Sequence, residues 1–189
     1  MRKIQFLLLV LFLSIFMKYC ATGEEYLKPG ADFSRYSRLA VLPLTDYFNS
    51  PGSGQQVADI ISFELLKRGF SVIDRANTQK ILSEQKLSLS GVLDETSILA
   101  VGRILGVQAL LTGSINEYST TYSYISFAKD PTYMPISATG LTLKLIDTET
   151  GEIVWASTGR ATQIGEGLYS VCSQNAVKKM LLQLSNHLK

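Results

Sequence analysis

The side chains of this 189-residue chain from which chemistry would most readily be built are one histidine, two cysteines and a few acidic residues near one turn. His187 stands close to the C-terminus, whereas a Ser-His-Asp triad needs an imidazole held from several sides. One histidine and two cysteines cannot close a four-ligand zinc site without carboxylates. Asp147, Glu149 and Glu152 carry enough oxygen for a hard cation, but they lack calcium-loop spacing and a hairpin turn uses the same residue types. Gly52-Ser-Gly54, between a strand and a helix pattern, is the one phosphate-loop candidate, since backbone N–H groups at a helix start attract anions. Val57 occupies the place of the third glycine of a dinucleotide fingerprint, and no Gly-Lys-Ser/Thr follows. The segment therefore reads as a loop leading into a helix. No catalytic residue, cofactor, metal or small-molecule substrate is expected, and the chain is not read as an enzyme.

The two cysteines have different surroundings. Arg2 and Lys3 precede a run from Ile4 to Met17 in which only Gln5 and Ser14 are not apolar, the order of an export signal. Its fourteen residues would span roughly 21 Å as a helix, against about 30 Å for a bilayer core. Two processing routes follow: cleavage before Cys20 with lipid attached to its sulfur, or ordinary cleavage after Ala21-Thr22-Gly23, which would leave a soluble periplasmic or secreted protein. The first is preferred, although Lys18 and Tyr19 are unusual before a lipidated cysteine. Cys172, among Leu168, Val171 and Ala176, reads as a small buried hydrophobe.

The remaining signal is aromatic. Of nine tyrosines, Tyr118, Tyr122, Tyr124 and Tyr133 gather around one expected hairpin. Amphipathic rings suit protein interfaces and membrane-interface belts, so these four form the candidate interface. Half-buried packing on a sheet is the alternative.

The elements that would position these residues come from periodicity. Residues 1–19 read as the export signal, 20–35 as a polar tether broken by Pro29 and Gly30, and 36–189 as one domain. A strand is expected over 38–44, then a helix with Val57, Ile60, Ile61 and Leu65 on one face and Gly69 at its end. A strand at 70–73, a helix to about Gln85, a loop at 87–93 and a helix carrying Ile98, Val101 and Leu105 follow. The apolar strand 107–115 gives way at Tyr118 to strict alternation, and a returning strand carries Leu141, Leu143 and Leu145 on one face. A tight turn at 147–151 leads to a strand with Ile153 and Trp155, and Val177, Met180, Leu181, Leu184 and Leu188 mark a closing helix. The expected fold is α/β: a mixed sheet packed by helices, an α/β/α sandwich of the anticodon-binding-domain-like kind, with an antiparallel hairpin extension.

Four blocks in order, RLAVLPL at 38–44, VADIISFELLKRGFSVIDRANTQKILSEQKLSLSGVLDE at 57–95, VGRILGVQALLTGSI at 101–115 and LKLIDTETGEIVWAS at 143–157, resemble the curli secretion lipoprotein family (CsgG-like). The resemblance implies a periplasmic domain tethered to the outer membrane through acylated Cys20. In the best-known member such domains form a ring whose extra hairpins build an outer-membrane β-barrel. Here the connection near 88–93 is short, and Lys129, Asp130, Pro131 and Pro135 interrupt 118–140, so the expectation is a family domain without the full membrane-channel hairpins. Its expected partners are the membrane, through the N-terminal lipid, and other copies of itself or envelope proteins. The expected role is an oligomeric scaffold assisting secretion or assembly of a surface structure. The alternative is a regulator of a cell-wall synthase, as in the similar penicillin-binding-protein activator lipoproteins.

Charge agrees with an envelope domain better than with a nucleic-acid binder. The formal net charge is +2, and removing residues 1–19 takes away Arg2, Lys3 and Lys18 but no acid, leaving a net of −1. Such a balance concentrates no positive field.

Overall fold

The computed structural model of the chain describes residues 23–73, 95–125 and 132–187. In order these residues form β1 (Glu25–Leu27), a 3-10 turn (Phe33–Arg35), β2 (Arg38–Val41), α1 (Ser53–Lys67), β3 (Ser71–Val72), α2 (Glu95–Leu105), β4 (Ala109–Ile125), β5 (Thr132–Asp147), β6 (Ile153–Ile164) and α3 (Tyr169–His187). The strands build one mixed sheet in the order β1-β6-β5-β4-β2-β3. β2 runs parallel to both β3 and β4, and the β4-β5-β6-β1 part is antiparallel throughout. This is the expected α/β architecture, with helices on both faces of an open sheet.

Strand pleating explains why the apolar runs read as continuous. Leu39 and Val41 face the side covered by α1 and α3, while Ala40 and Leu42 face the side covered by α2, and all four are buried. On the first side Val57, Ile61 and Leu65 of α1 and Val177, Met180, Leu181 and Leu184 of α3 close over Leu141, Leu143, Leu145 and Trp155. On the second, Val101 and Leu105 of α2 meet Leu110 and Ile146. The expected helix to Gln85 and the loop at 87–93 lie outside the described residues.

Part of the segment read as a tether is packed. β1 pairs with β6, with Glu25 opposite Ser157 and Leu27 opposite Trp155, and Phe33 and Tyr36 are buried in the main core. Pro29 and Gly30 make a turn here and do not mark a linker: the Ala31 N–H bonds back to the Lys28 carbonyl at 3.2 Å. Leu27 and Phe33 pack this segment on the core beside the β1–β6 pairing, and two isolated apolar residues in a polar stretch give no periodicity to read.

β4 also differs from expectation. The two patterns at 107–115 and from 118 belong to one seventeen-residue strand, with a bulge between Ile115 and Glu117. Asn116 is the extra residue, and its amide donates to Thr142 Oγ1 at 2.6 Å. A bulge switches which face alternate residues take, so an apolar run and a tyrosine alternation join without a turn. Pro135 does not interrupt β5: it pairs with Tyr122, and its carbonyl accepts from Gly165 N at 2.8 Å on the opposite side. Its missing N–H therefore falls beyond the end of β6, where no ladder bond is lost.

Candidate functional site: a tyrosine-faced ribbon

β5 and β6 remain paired only as far as Ser137 opposite Gln163, whereas β4 and β5 continue to Ile125 opposite Thr132. Five cross-strand pairs therefore extend past the β6 ladder as a two-stranded ribbon, about 17 Å long at the usual rise per residue, its inner two pairs still touched by Gly165 through Ile136 and the Pro135 carbonyl. Tyr118, Tyr122 and Tyr124 follow one another at every second or fourth position, so they share one face, and Tyr133 joins them because it lies opposite Tyr124. All four candidate residues are thus brought together, in a stripe that starts beside α3 and runs outward.

The inner end of the stripe is locked. The ring of Tyr118 lies 4.5 Å from that of Tyr169 on α3, and its hydroxyl donates to Gln56 Oε1 of α1 at 3.2 Å. Burial, reinforced by Tyr169, raises the Tyr118 hydroxyl pKa above its ordinary value. Thr120 Oγ1 is 2.9 Å from the Tyr169 hydroxyl and 3.2 Å from Ser137 Oγ. Ser137 Oγ in turn donates to the Gly165 carbonyl at 2.7 Å and accepts from Leu168 N at 3.1 Å. For Tyr118, half-buried sheet packing is the better description.

The outer end is open. Tyr122, Tyr124 and Tyr133 are 60%, 56% and 66% exposed. The Tyr124 and Tyr133 rings meet edge to face at 5.7 Å, a favourable arrangement for two aromatics across a strand pair. Tyr122 donates its hydroxyl to Glu166 Oε1 at 3.2 Å, which raises its pKa, chiefly through that hydrogen bond. No charged residue occurs at 118–125 or 132–143. The paired positions of the ribbon are consequently uncharged and amphipathic, with three tyrosines more than half exposed and Glu166 bonded to one of them.

The other residue groups are committed internally. Asp147 is buried and accepts from the Tyr36 hydroxyl at 2.7 Å and from the N–H groups of Glu149 at 2.7 Å and Thr150 at 2.9 Å. Burial alone would raise its pKa, but these bonds and nearby Arg35 outweigh that and hold it below the usual carboxylate value. Glu149 pairs with Arg35 and Glu152 with Lys28, so the acidic turn residues fasten the N-terminal segment to the β5–β6 hairpin. At Gly52-Ser-Gly54 the anion position is filled from within, since Asp46 accepts from Gly52 N at 2.9 Å and Gly54 N at 2.6 Å. His187 Nε2 lies 3.4 Å from Glu25 Oε2 of β1, with its ring 6.2 Å from that of Phe33. Cys172 is fully buried, its thiol directed to the Ser137 carbonyl at 3.3 Å and its pKa raised by burial. Among the described residues no three His, Cys, Asp or Glu side chains are placed to hold a metal ion, and no helix is long and apolar enough to cross a membrane. Cys20 lies outside the described residues.

Sequence reasoning missed Asp46, Tyr36, Tyr169 and Glu166. Tyr36, Tyr169 and Glu166 act through contacts distant in sequence, whereas Asp46 bonds Gly52 and Gly54 across a short loop; Tyr169 alone carried a signal, as an aromatic at the start of an amphipathic helix.

Comparison with known proteins places this geometry. The family model described as "Curli production assembly/transport component CsgG" matches residues 20–169. Among solved structures, the PelC dodecamer from Paraburkholderia phytofirmans is similar at TM-score 0.58 and 20% identity, covering 87% of this chain and 97% of that one. Lipoprotein GNA1162 from Neisseria meningitidis has TM-score 0.59 and 15% identity, covering 79% and 99%. The LpoB C-terminal domain from Salmonella enterica has TM-score 0.50 and 19% identity, covering 71% and 87%. At these identities the likeness is one of fold. No curated protein matches the chain.

Proposed function

The chain belongs to the CsgG family, and from that premise we propose that it is a non-enzymatic, lipid-anchored scaffold of the cell envelope, oligomeric, that assists secretion or assembly of a surface structure. The observation that carries this reading is the ribbon: a neutral face bearing three exposed tyrosines, projecting from a domain whose ionisable clusters are already partnered. A surface of that composition supports association and offers nothing to bond-making chemistry. The fold likeness to a PelC dodecamer supports oligomerisation, and the acylated Cys20 of the sequence reading would hold the domain at the periplasmic side of the outer membrane. The alternative, regulation of a cell-wall synthase across the periplasm, would draw on a long tether. Packing of residues 25–35 on the domain leaves little chain for that and weighs against it.

Light scattering on the mature protein, extracted from envelopes in detergent, tests the reading. A mass of several subunits that persists on dilution is expected. A monomer at every concentration overturns the oligomeric scaffold.

A further inference from the structure

The bulge in β4 aims two consecutive side chains the same way. Ile115 is buried under the α1–α3 layer, and Ser114 before it faces the other side of the sheet. The extra residue lets both Asn116 and Glu117 join Ser114 there, a re-aiming of side chains for which bulges are used beside binding sites. On that side α2 covers only Ala40, Leu42, Leu110, Ile146 and their neighbours. Farther along the sheet lies an open groove of about 570 Å³, lined by Glu24, Asn116, Glu117, Gly140, Thr158 and Arg160 among others.

Strand register arranges the lining in rows. Glu117, Gly140 and Arg160 lie side by side on β4, β5 and β6, and Ser114, Thr142 and Thr158 form the next row on the same face, about 7 Å away. Because Gly140 has no side chain, the Glu117 carboxylate reaches across it and accepts two bonds from Arg160, from Nε at 2.6 Å and from Nη2 at 2.9 Å. A β-carbon at 140 would meet Glu117 Cβ at 3.2 Å. The pair is a flat, bidentate wall in which the two charges cancel. In the second row Thr142 Oγ1 accepts from Asn116 Nδ2 at 2.6 Å, Thr158 Oγ1 accepts from Glu24 N at 3.3 Å, and Ser114 Oγ donates to Asn116 Oδ1 at 2.9 Å. Each threonine hydroxyl thus keeps a proton to donate, and Ser114 Oγ keeps its lone pairs. Glu25 and Leu27 turn toward α3, where Glu25 bonds Trp155 and Leu27 packs on the core. Tyr26 between them therefore faces the groove side, 52% exposed, opposite Ala156 and one row on from Thr158.

From this constellation we propose that the groove binds an uncharged glycan chain. A sugar ring offers hydroxyls that both donate and accept along its edges and polarised C–H groups on its faces. The threonine hydroxyls and the Asn116 amide match the edges, and the negative face of the Tyr26 ring matches the C–H groups. The volume lies within the range of small-ligand sites. Other ligands fit worse: Glu24 and Glu117 against Arg160 leave the lining net negative and repel an anion, and the lining residues offer hydrogen bonds where the hot spot of a protein interface would need an apolar pocket. The groove lies across the sheet from α1 and α3, and the proposal does not depend on how the chain is anchored.

The test uses the full mature protein, extracted from envelopes in a detergent without a sugar headgroup. It is mixed with cellohexaose, with the hexamer of N-acetylglucosamine and with hexagalacturonate, and binding is read by saturation-transfer NMR and by titration calorimetry. The expected result is that an uncharged hexamer binds and that hexagalacturonate binds more weakly. Tyr26→Ala and Thr158→Val should each weaken binding about tenfold, the scale of one or two lost contacts, whereas Phe63→Ala, on the exposed side of α1, should leave it unchanged. Thr158→Val keeps the shape of the side chain, and the melting temperature shows that each variant is folded. Preference for the acetylated hexamer supports the proposal with an amino-sugar strand as the source, and preference for cellohexaose supports it with a plain glucan. Binding of neither uncharged hexamer, binding that survives both groove substitutions, or tighter binding of hexagalacturonate overturns it.

Discussion

Asp147 shows at the scale of one residue how a side chain that looks like a ligand can be structural. Its carboxylate takes three hydrogen bonds, one of them from Tyr36, 111 positions earlier in the chain. Tyr36→Phe would leave that oxygen buried with one donor fewer, which costs about 1–3 kcal/mol; urea unfolding near neutral pH should show the loss. The pH dependence has a definite sign. Because the folded-state pKa of Asp147 is held below its unfolded value, its contribution is present at pH above the unfolded value, near 3.9, and is lost as pH falls through the folded one. Asp147→Asn should therefore flatten the acid side of the stability profile relative to the parent chain, and an unchanged profile would show that other carboxylates carry the acid transition. Cys172 offers a second check: a buried thiol with a raised pKa should resist a thiol reagent in the native protein and react once unfolded.

At the scale of elements, most of the helices and strands were legible because one-sided burial imposes a period, 3.6 on α1 and α3 and 2 on β5. What escaped were the joints. The length of β4 escaped because the Asn116 bulge resets the alternation in mid-strand, and the tolerance of Pro135 escaped because it depends on where a neighbouring strand ends. Of the candidate site, the four tyrosines were legible from spacing, while their division into a locked Tyr118 and three exposed rings depends on Tyr169 and Gln56, which lie elsewhere in the sequence. The start of α1 was legible only as a glycine turn: Gly52 adopts φ 82°, a left-handed conformation that favours glycine, and Asp46 caps the helix from six residues upstream. Asp46→Ala should cost about 1–2 kcal/mol, the usual value of a lost N-terminal cap, seen as a lowered melting temperature. Gly159 allows α3 to approach β6, since a methyl there would meet Met180. Gly159→Val should destabilise by about 1–3 kcal/mol through overpacking, measurable in the same melts.

For the whole molecule the decisive residues are those before β2, because they determine whether residues 25–36 are a loose tether or part of the domain. β1 covers the lower part of β6, Glu25 accepts from Trp155 Nε1 at 2.7 Å, and Arg35 and Tyr36 bind the β5–β6 turn. A chain beginning at residue 37 would lose the burial of Phe33 and Tyr36, worth about 1.5–3 kcal/mol each. It would also leave Asp147 buried with fewer donors and Trp155 Nε1 without its acceptor. Those losses together approach the 5–15 kcal/mol on which a domain of this size stands, so this chain should melt without a cooperative transition. A chain beginning at residue 23 retains every one of these contacts and should melt at the same temperature as one beginning at residue 20. If the two truncations melt alike, residues 25–36 behave as a tether after all.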